Sequence, residues 1–446
     1  MRKITINKSA LLGFLLLLGA QLQAQKMYTL EECIQQTLTN NLQVKNSRLD
    51  EQTVNSQITE AKSGFLPSVD LNGQYQYYIT IPSMLVPAEM FGGVKGEYAP
   101  ISFSSKQTTT ASIQVSQVLY NQKVFIALKA AQPAKNVTVL QMTKTKEDLI
   151  YNVSAVYYNL QVLNENLAML DSNIISMTKL LAINKVLEAN NILSKSAYKR
   201  LEINFENLKN ERQNLSLTGE KAANLLKFLM GLPMTEAIKI NSFDSKDSKL
   251  VIGVANVDNR TDIQLMNKQI EIAGLEKKIA LADFYPSLAG MYNYGLTGYN
   301  NEFSLTKTIN DSWMKGSYVG LQLRVPIFSG FSRMQKVKQK EFGIQKAKNS
   351  YELVKQSALK EVSDATNNYM SMSNSFENTK RSLALAKELF ANSDTEYKNG
   401  IISISDLLLI QNDLTTARNN YSNAMINLRL AEIELRKSKG ELANNK

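Results

Sequence analysis

A single apolar seam, met twice, constrains this chain more than any other feature. Leu149, Val153, Val156, Leu160, Leu163, Leu167, Leu170, Ile174, Met177 and Leu181 follow one another in alternating steps of four and three. Such a 3.5-residue repeat marks helices packed side by side with a left-handed supercoil. The same spacing returns 209 residues later as Ala358, Val362, Ala365, Tyr369, Met372, Phe376, Thr379, Leu383, Ala386 and Phe390. The return helices share that offset: Tyr198, Leu201, Phe205, Leu208, Arg212, Leu215, Gly219, Ala222 and Leu226 answer to Leu407, Ile410, Leu414, Ala417, Tyr421, Ala424, Leu428, Ala431 and Leu435. Several segments at one offset mark an internal duplication. A helix from Gln122 to Leu187 would run about 100 Å, at 1.5 Å per residue. A compact domain has no use for such a rod. Pro133, near its start, predicts a kink.

Each long helix turns into its return helix through a short polar stretch. Gly400 can take φ > 0 just past a helix end. Ser403, Ser405 and Asp406 then offer N-cap oxygens for the next helix. Asn191 stands 209 residues before Gly400, and Ser194 and Ser196 lie at the start of the first return helix. The chain therefore reads as two long helical hairpins. The candidate residues at their ends are Asn191, Ser194 and Ser196 in the first, and Tyr397, Gly400, Ser403 and Asp406 in the second.

Before each hairpin come a helix and two strands. The first helix is expected from about Leu30 to Gly64. It opens on a Thr29/Glu32 capping box and is stopped by Pro67 in F-L-P-S. The second runs from about Thr261 to Asp283 and is stopped by Pro286 in F-Y-P-S, an offset of 219. The change from 219 to 209 puts about ten extra residues in the first half, where a loop with Pro82, Pro87, Gly92, Gly93 and Gly96 can hold them. Val69, Leu71, Gly73, Tyr75, Tyr77 and Ile79 alternate with Asp70, Asn72, Gln74 and Gln76, which is the period of a strand. Similar runs lie at Thr109 to Leu119, Leu288 to Thr297 and Ser317 to Ile327. The last has Gln322 and Arg324 opposite Val319, Leu321, Leu323, Val325 and Ile327. Strands of about 9–11 residues cross a bilayer when tilted; a half-buried soluble sheet gives the same pattern. Tyr75, Tyr77, Tyr78, Tyr292, Tyr294 and Tyr299 suit an interfacial belt, and equally the ordinary strand preference of tyrosine. If the strands do enter a membrane, four cannot close a barrel, because bilayer-facing edges leave backbone groups unpaired. Two, three or four copies would then give eight, twelve or sixteen strands.

Composition narrows the function. Arg2, Lys3 and Lys8 precede an apolar run from Ala10 to Ala20, and Leu22-Gln23-Ala24 resembles a cleavage site, so residues 1–24 read as a secretory signal. Without them the formal charge of +11 falls to +8. Export and the spread of that charge argue against a nucleic-acid partner. The densest basic stretch, Arg333 to Lys348, reads as a solvated helix face, or as a membrane–water boundary because it follows a strand. There is no histidine and one cysteine, Cys33. That excludes a Ser-His-Asp triad, histidine metal sites and an internal disulfide. No catalytic constellation, cofactor site or metal site is recognisable, and the expectation is a protein that is not an enzyme. The 16 methionines fall largely on seams where they can be placed, which is core packing.

The domain reading is a signal at 1–24, repeat 1 at 25–230, a linker at 231–258, repeat 2 at 259–440 and a tail at 441–446. With this layout, F-L-P-S and F-Y-P-S, the strand ending V-P-I-F-S-G and the turn Y-K-N-G-I-I-S-I-S-D-L-L, the chain resembles the TolC family of outer-membrane efflux channels. The resemblance implies a mainly α fold whose duplicated hairpins form a periplasmic α-barrel. Four strands per chain would close a trimeric twelve-stranded barrel in outer-membrane lipid, with Gln322 and Arg324 toward its lumen. It implies a passive exit duct for drugs, toxins or proteins. The implied partners are a periplasmic adaptor and an inner-membrane pump of RND or ABC class. Carried over, Tyr397 matches a gating tyrosine and Asp406 an acidic-ring position, although Asp406 suits a helix cap equally. Ile402, Leu409 and Ala197 stand where the family can have charged gate residues. The competing reading is a trimeric structural or adhesive coiled coil at the cell surface, which predicts no alternating strands.

Overall fold

The computed structural model describes residues 27–241, 256–304 and 313–442. The expected signal, linker residues 242–255 and tail residues 443–446 lie outside them. The chain divides into two compact units. One comprises Met1–Glu51, Thr138–Asn267 and Ser350–Lys446, and the other Gln52–Val137 and Lys268–Asn349. Each draws on both halves of the duplicated sequence.

The first unit is helical. Its opening helix, α1 (Leu30–Asn40), carries the expected capping box: Thr29 Oγ1 accepts the Glu32 N–H and the Glu32 carboxylate accepts the Thr29 N–H. The continuous helix expected as far as Gly64 is instead broken at Asn41, after which α2 (Leu42–Ser63) begins. The cause is the buried Asn41 side chain. Its Nδ2 donates to the Leu229 carbonyl at 2.8 Å and its Oδ1 accepts the Gln43 N–H at 2.8 Å. Local side-chain bonds of this kind compete with the helix ladder.

Two long hairpins follow: α3 (Gln122–Ala189) with α4 (Lys195–Met230), and α6 (Ser332–Lys398) with α7 (Ile404–Ser438). Pro133 lies inside α3 without ending it. Every seam residue named above is buried or half-buried. At the open end of the first hairpin, α1 packs Cys33 among Val44, Leu149, Val153, Leu226 and Met230. There burial pushes the Cys33 thiol up to about 12. The short strand β1 (Met27–Tyr28) pairs in this unit, parallel, with β6 (Lys239–Ile240). The hairpins also pack on each other, through Val162 with Phe376, Ala424 and Met425.

The second unit is built on a four-stranded sheet. Its strands are β2 (Ser68–Tyr77), β5 (Gln107–Asn121), β7 (Ser287–Asn300) and β8 (Met314–Arg324), in that spatial order and antiparallel throughout. Helix α5 (Thr261–Ala282) leads into β7. The two proline turns are superimposable in their bonding. Phe65 N–H donates to the Lys62 carbonyl and Leu66 N–H to that of Ser63; Phe284 and Tyr285 do the same to Leu281 and Ala282, each 219 residues on. Pro67 and Pro286 follow these turns and precede the first strand residues, Ser68 and Ser287. The strand expected to reach Ile327 stops at Arg324, because its partner β7 begins at Ser287, opposite Arg324. Two residues on, Pro326 has no N–H to offer a ladder. The loop between β2 and β5 holds its own antiparallel pair, β3 (Met84–Pro87) with β4 (Tyr98–Ile101), joined through a 3-10 turn at Ala88–Phe91.

Candidate functional site

The sheet and the hairpin ends carry the features that matter for function, and each follows from local sequence. In an antiparallel pair, residues directly opposite share a face. One face therefore reads Val69–Val115–Tyr292–Val319 and Leu71–Ile113–Tyr294–Ser317 across the four strands. The other reads Asp70–Gln114–Asn293–Tyr318 and Asn72–Ser112–Gly295–Gly316. Gln322 and Arg324 share that polar face, opposite Ala289 and Ser287. The apolar face is bare: Leu71 is 77% and Val319 80% exposed. An apolar sheet face left open to this extent is a surface for lipid or for another protein. Among the described residues no helix is long and apolar enough to cross a membrane.

The hairpin ends are built alike. Helix α3 ends at Ala189 and α6 at Lys398. Asn191 (φ 60°) and Gly400 (φ 72°) then take the left-handed conformation. Their N–H groups donate to Glu188 and Tyr397, and those of Ile192 and Ile401 to Leu187 and Glu396. These are the paired bonds of a Schellman turn. Ser194 then caps α4 by accepting the Ala197 N–H, and its hydroxyl meets that of Ser196 at 3.2 Å. Ser403 caps α7 by accepting the Asp406 N–H at 3.2 Å. The Asp406 carboxylate accepts both the Ser403 N–H at 3.3 Å and its hydroxyl at 2.7 Å. Asp406, exposed, is thus half of a capping box.

The two ends meet. Met177 and Leu201 of the first hairpin are buried against Ile404, Leu407 and Leu408 of the second, with Leu193, Ala197 and Ile402 around them. Ile402 and Ala197 are therefore part of an apolar contact. Tyr397 crosses between the hairpins: its hydroxyl donates to Asn184 Oδ1 at 2.9 Å. Asn184 is fully buried and its Nδ2 donates to the Leu180 carbonyl at 2.8 Å. Sequence reasoning missed Asn184, yet a signal existed. After Met177 and Leu181 the seam's next step of three lands on 184, an asparagine where an apolar residue is due, and its counterpart 209 residues on is the buried Ser393. Further up, Asn166 accepts from the Ser422 hydroxyl at 2.9 Å and Arg212 pairs with Asp171 at 2.6 Å.

A strand sheet with one bare apolar face in one unit and paired helical hairpins in the other are features that fit the protomer of a membrane channel. The family model described as outer membrane efflux protein matches the chain twice, over residues 33–218 and 256–441. The chain belongs to that family. The outer membrane protein TolC of Escherichia coli is 20% identical over 400 residues, covering 85% of this chain and 75% of that one. TolC of Vibrio cholerae is 21% identical, covering 88% and 86%. Among solved structures, CusC is similar with a TM-score of 0.72 at 18% identity, covering 93% of each chain. The MtrE outer membrane channel of Neisseria gonorrhoeae has a TM-score of 0.71 at 18% identity, covering 92% of this chain and 88% of that one. The protein is an outer-membrane efflux channel with a periplasmic helical part. The four paired strands are what a purely adhesive coiled coil would lack.

Proposed function

We propose that three copies of the chain close into one twelve-stranded barrel and act as a passive exit duct. An inner-membrane pump would load it through a periplasmic adaptor. The observation that carries this reading is the sheet itself: its apolar face is bare and, among the described residues, its edge strands β2 and β8 each have only one neighbour. Open edges do not persist in hydrocarbon. Four antiparallel strands make β2 and β8 run oppositely, so β8 of one copy can add to β2 of the next and keep the ladder antiparallel all round. The polar face, with Gln322 and Arg324, then lines the lumen. The chain contributes no chemistry of its own. The two repeats, 25–230 and 259–440, supply six hairpin ends to one opening.

At that opening the second hairpin holds the gate. The Tyr397–Asn184 bond ties it to the first hairpin, over an apolar contact in place of a charged one. Docking of the adaptor or pump on the helical ends parts the hairpins and breaks this bond. Asp406 acts chiefly as the cap that shapes the second turn. Single-channel recording of purified trimers in planar bilayers tests the reading. Trimers that stay silent with Tyr397→Phe in place would sink it, and a protein that is monomeric by mass in detergent would remove the barrel.

A further inference from the structure

The hairpin formed by β3 and β4 has no role in the duct so far described. The register places it. Ser68, Asn121, Ser287 and Arg324 lie together at the end of the sheet where the helices join, and Tyr77, Gln107, Asn300 and Met314 at the opposite end. Residues 78–106 leave from that opposite end. With the helices on the periplasmic side, they stand over the outer mouth.

The composition of this hairpin is unusual for an outer loop. The cross-strand pairs Met84–Ile101 and Val86–Ala99 make one face, and Leu85–Pro100 and Pro87–Tyr98 the other. Neither face carries a charge. Met84, Leu85, Met90, Phe91, Val94 and Tyr98 are all exposed. A lone two-stranded hairpin is marginal in water unless it packs on something, and these side chains have nothing over them within one chain. What covers them can be argued. The charges of residues 78–106 are Glu89, Lys95, Glu97 and Lys106, which cancel. A surface meant for the phosphates of lipid headgroups would instead gather lysine and arginine. The loop also leaves from the end of β2, the edge strand that meets the next copy, so it sits at the subunit boundary. In a ring of three, every hairpin has a neighbour on each side and needs two apolar faces, one for each, as a cyclic heterologous contact demands.

We propose that the hairpins at 84–101 of the three chains pack on one another over the outer mouth and form a second constriction, separate from the one at the helical ends. The inference rests on the trimeric barrel. The same contact explains why the first half of the duplicated chain carries extra residues at this loop, where the second half has only a short connection between β7 and β8.

The test uses the full-length channel. Cys33 is fully buried with its thiol pushed up to about 12, so it stays silent toward oxidants. The double variant Met84→Cys with Leu85→Cys places one thiol on each face. Mild oxidation of purified trimers is expected to give covalent dimers and trimers on a non-reducing gel. In a Tyr397→Phe background, Met84→Glu with Leu85→Glu puts a carboxylate on each face, sets like charges across every contact and is expected to raise single-channel conductance severalfold. Intact trimers that give no cross-link and no change in conductance would overturn the proposal. So would thiols that cross-link to no neighbour and are labelled only by a lipid-soluble maleimide, which would put the hairpin in lipid. So would thiols that cross-link only to another protein in whole cells. A chain that is not trimeric by native mass would instead remove the barrel reading, before the hairpin is tested at all.

Discussion

Tyr397→Phe is the sharpest test of the gate, because it deletes one oxygen and leaves the ring packing in place. In the structure, which is the closed state of the proposed gate, Asn184 is fully buried, and its Oδ1 accepts from Tyr397 at 2.9 Å. Without the hydroxyl, that oxygen is left buried without this donor, which costs about 1–3 kcal/mol. When the hairpins part, water reaches Asn184 in either form, so the cost falls on the closed state alone. Three symmetric copies opening together bring even the lower bound to about 3 kcal/mol, a shift toward the open state of more than about 100-fold. The readout is the open probability of single trimers in planar bilayers, with trimer mass and thermal stability as controls. The double variant Tyr397→Phe with Asn184→Leu removes both polar partners, and replacing both by apolar groups of similar shape is nearly neutral. It is expected to close again, with a coupling of about 0.5–3 kcal/mol per copy in the double-mutant cycle. Tyr397→Phe trimers with unchanged open probability, or a double variant as open as the single, would refute the reasoning.

Other consequences follow from the same geometry. Asp406→Ala loses the N3 half of the capping box and is expected to destabilise the start of α7 by about 0.3–1.5 kcal/mol; faster amide exchange at Ile404–Leu408, with exchange at mid-helix unchanged, is the signature. Val319→Arg places a charge mid-strand on the bare apolar face and is expected to cost about 2–4 kcal/mol per copy in lipid. Refolding into vesicles should fail for it and succeed for Gln322→Arg on the polar face. Burial pushes the Glu147 carboxyl above its usual range, against the opposing pull of its Thr261 hydrogen bond and of Lys437. A raised carboxyl pKa means the folded state is penalised while Glu147 is ionised and relieved as pH falls through the folded value. Glu147→Gln should therefore raise the Tm at neutral pH, and the gain should vanish in acid.

The sequence by itself determined the long helices, the four sheet strands and the turns between them, because their signals are local. Period 3.5 survives in a list of residues, and so do period 2, a proline that cannot donate and a glycine past a helix end. The shared offset also made the two turns equivalent before any coordinates. The stop at Arg324 needed more, since a strand lasts only as long as its neighbour, and β7 begins at Ser287. The break at Asn41 depended on a carbonyl at Leu229 that the chain brings up only after a full hairpin. The Tyr397–Asn184 contact shows the division most clearly. The odd asparagine at 184 and the tyrosine at 397 are each visible in the sequence. Their bond joins residues 213 positions apart, through the register of one hairpin against the other. That register is set by how Met177, Leu201, Ile404, Leu407 and Leu408 interlock. A slip of one heptad would keep every seam intact and move the Tyr397 hydroxyl about 10 Å away at 1.5 Å per residue. Periodicity is blind to such a slip, and only side-chain packing decides it.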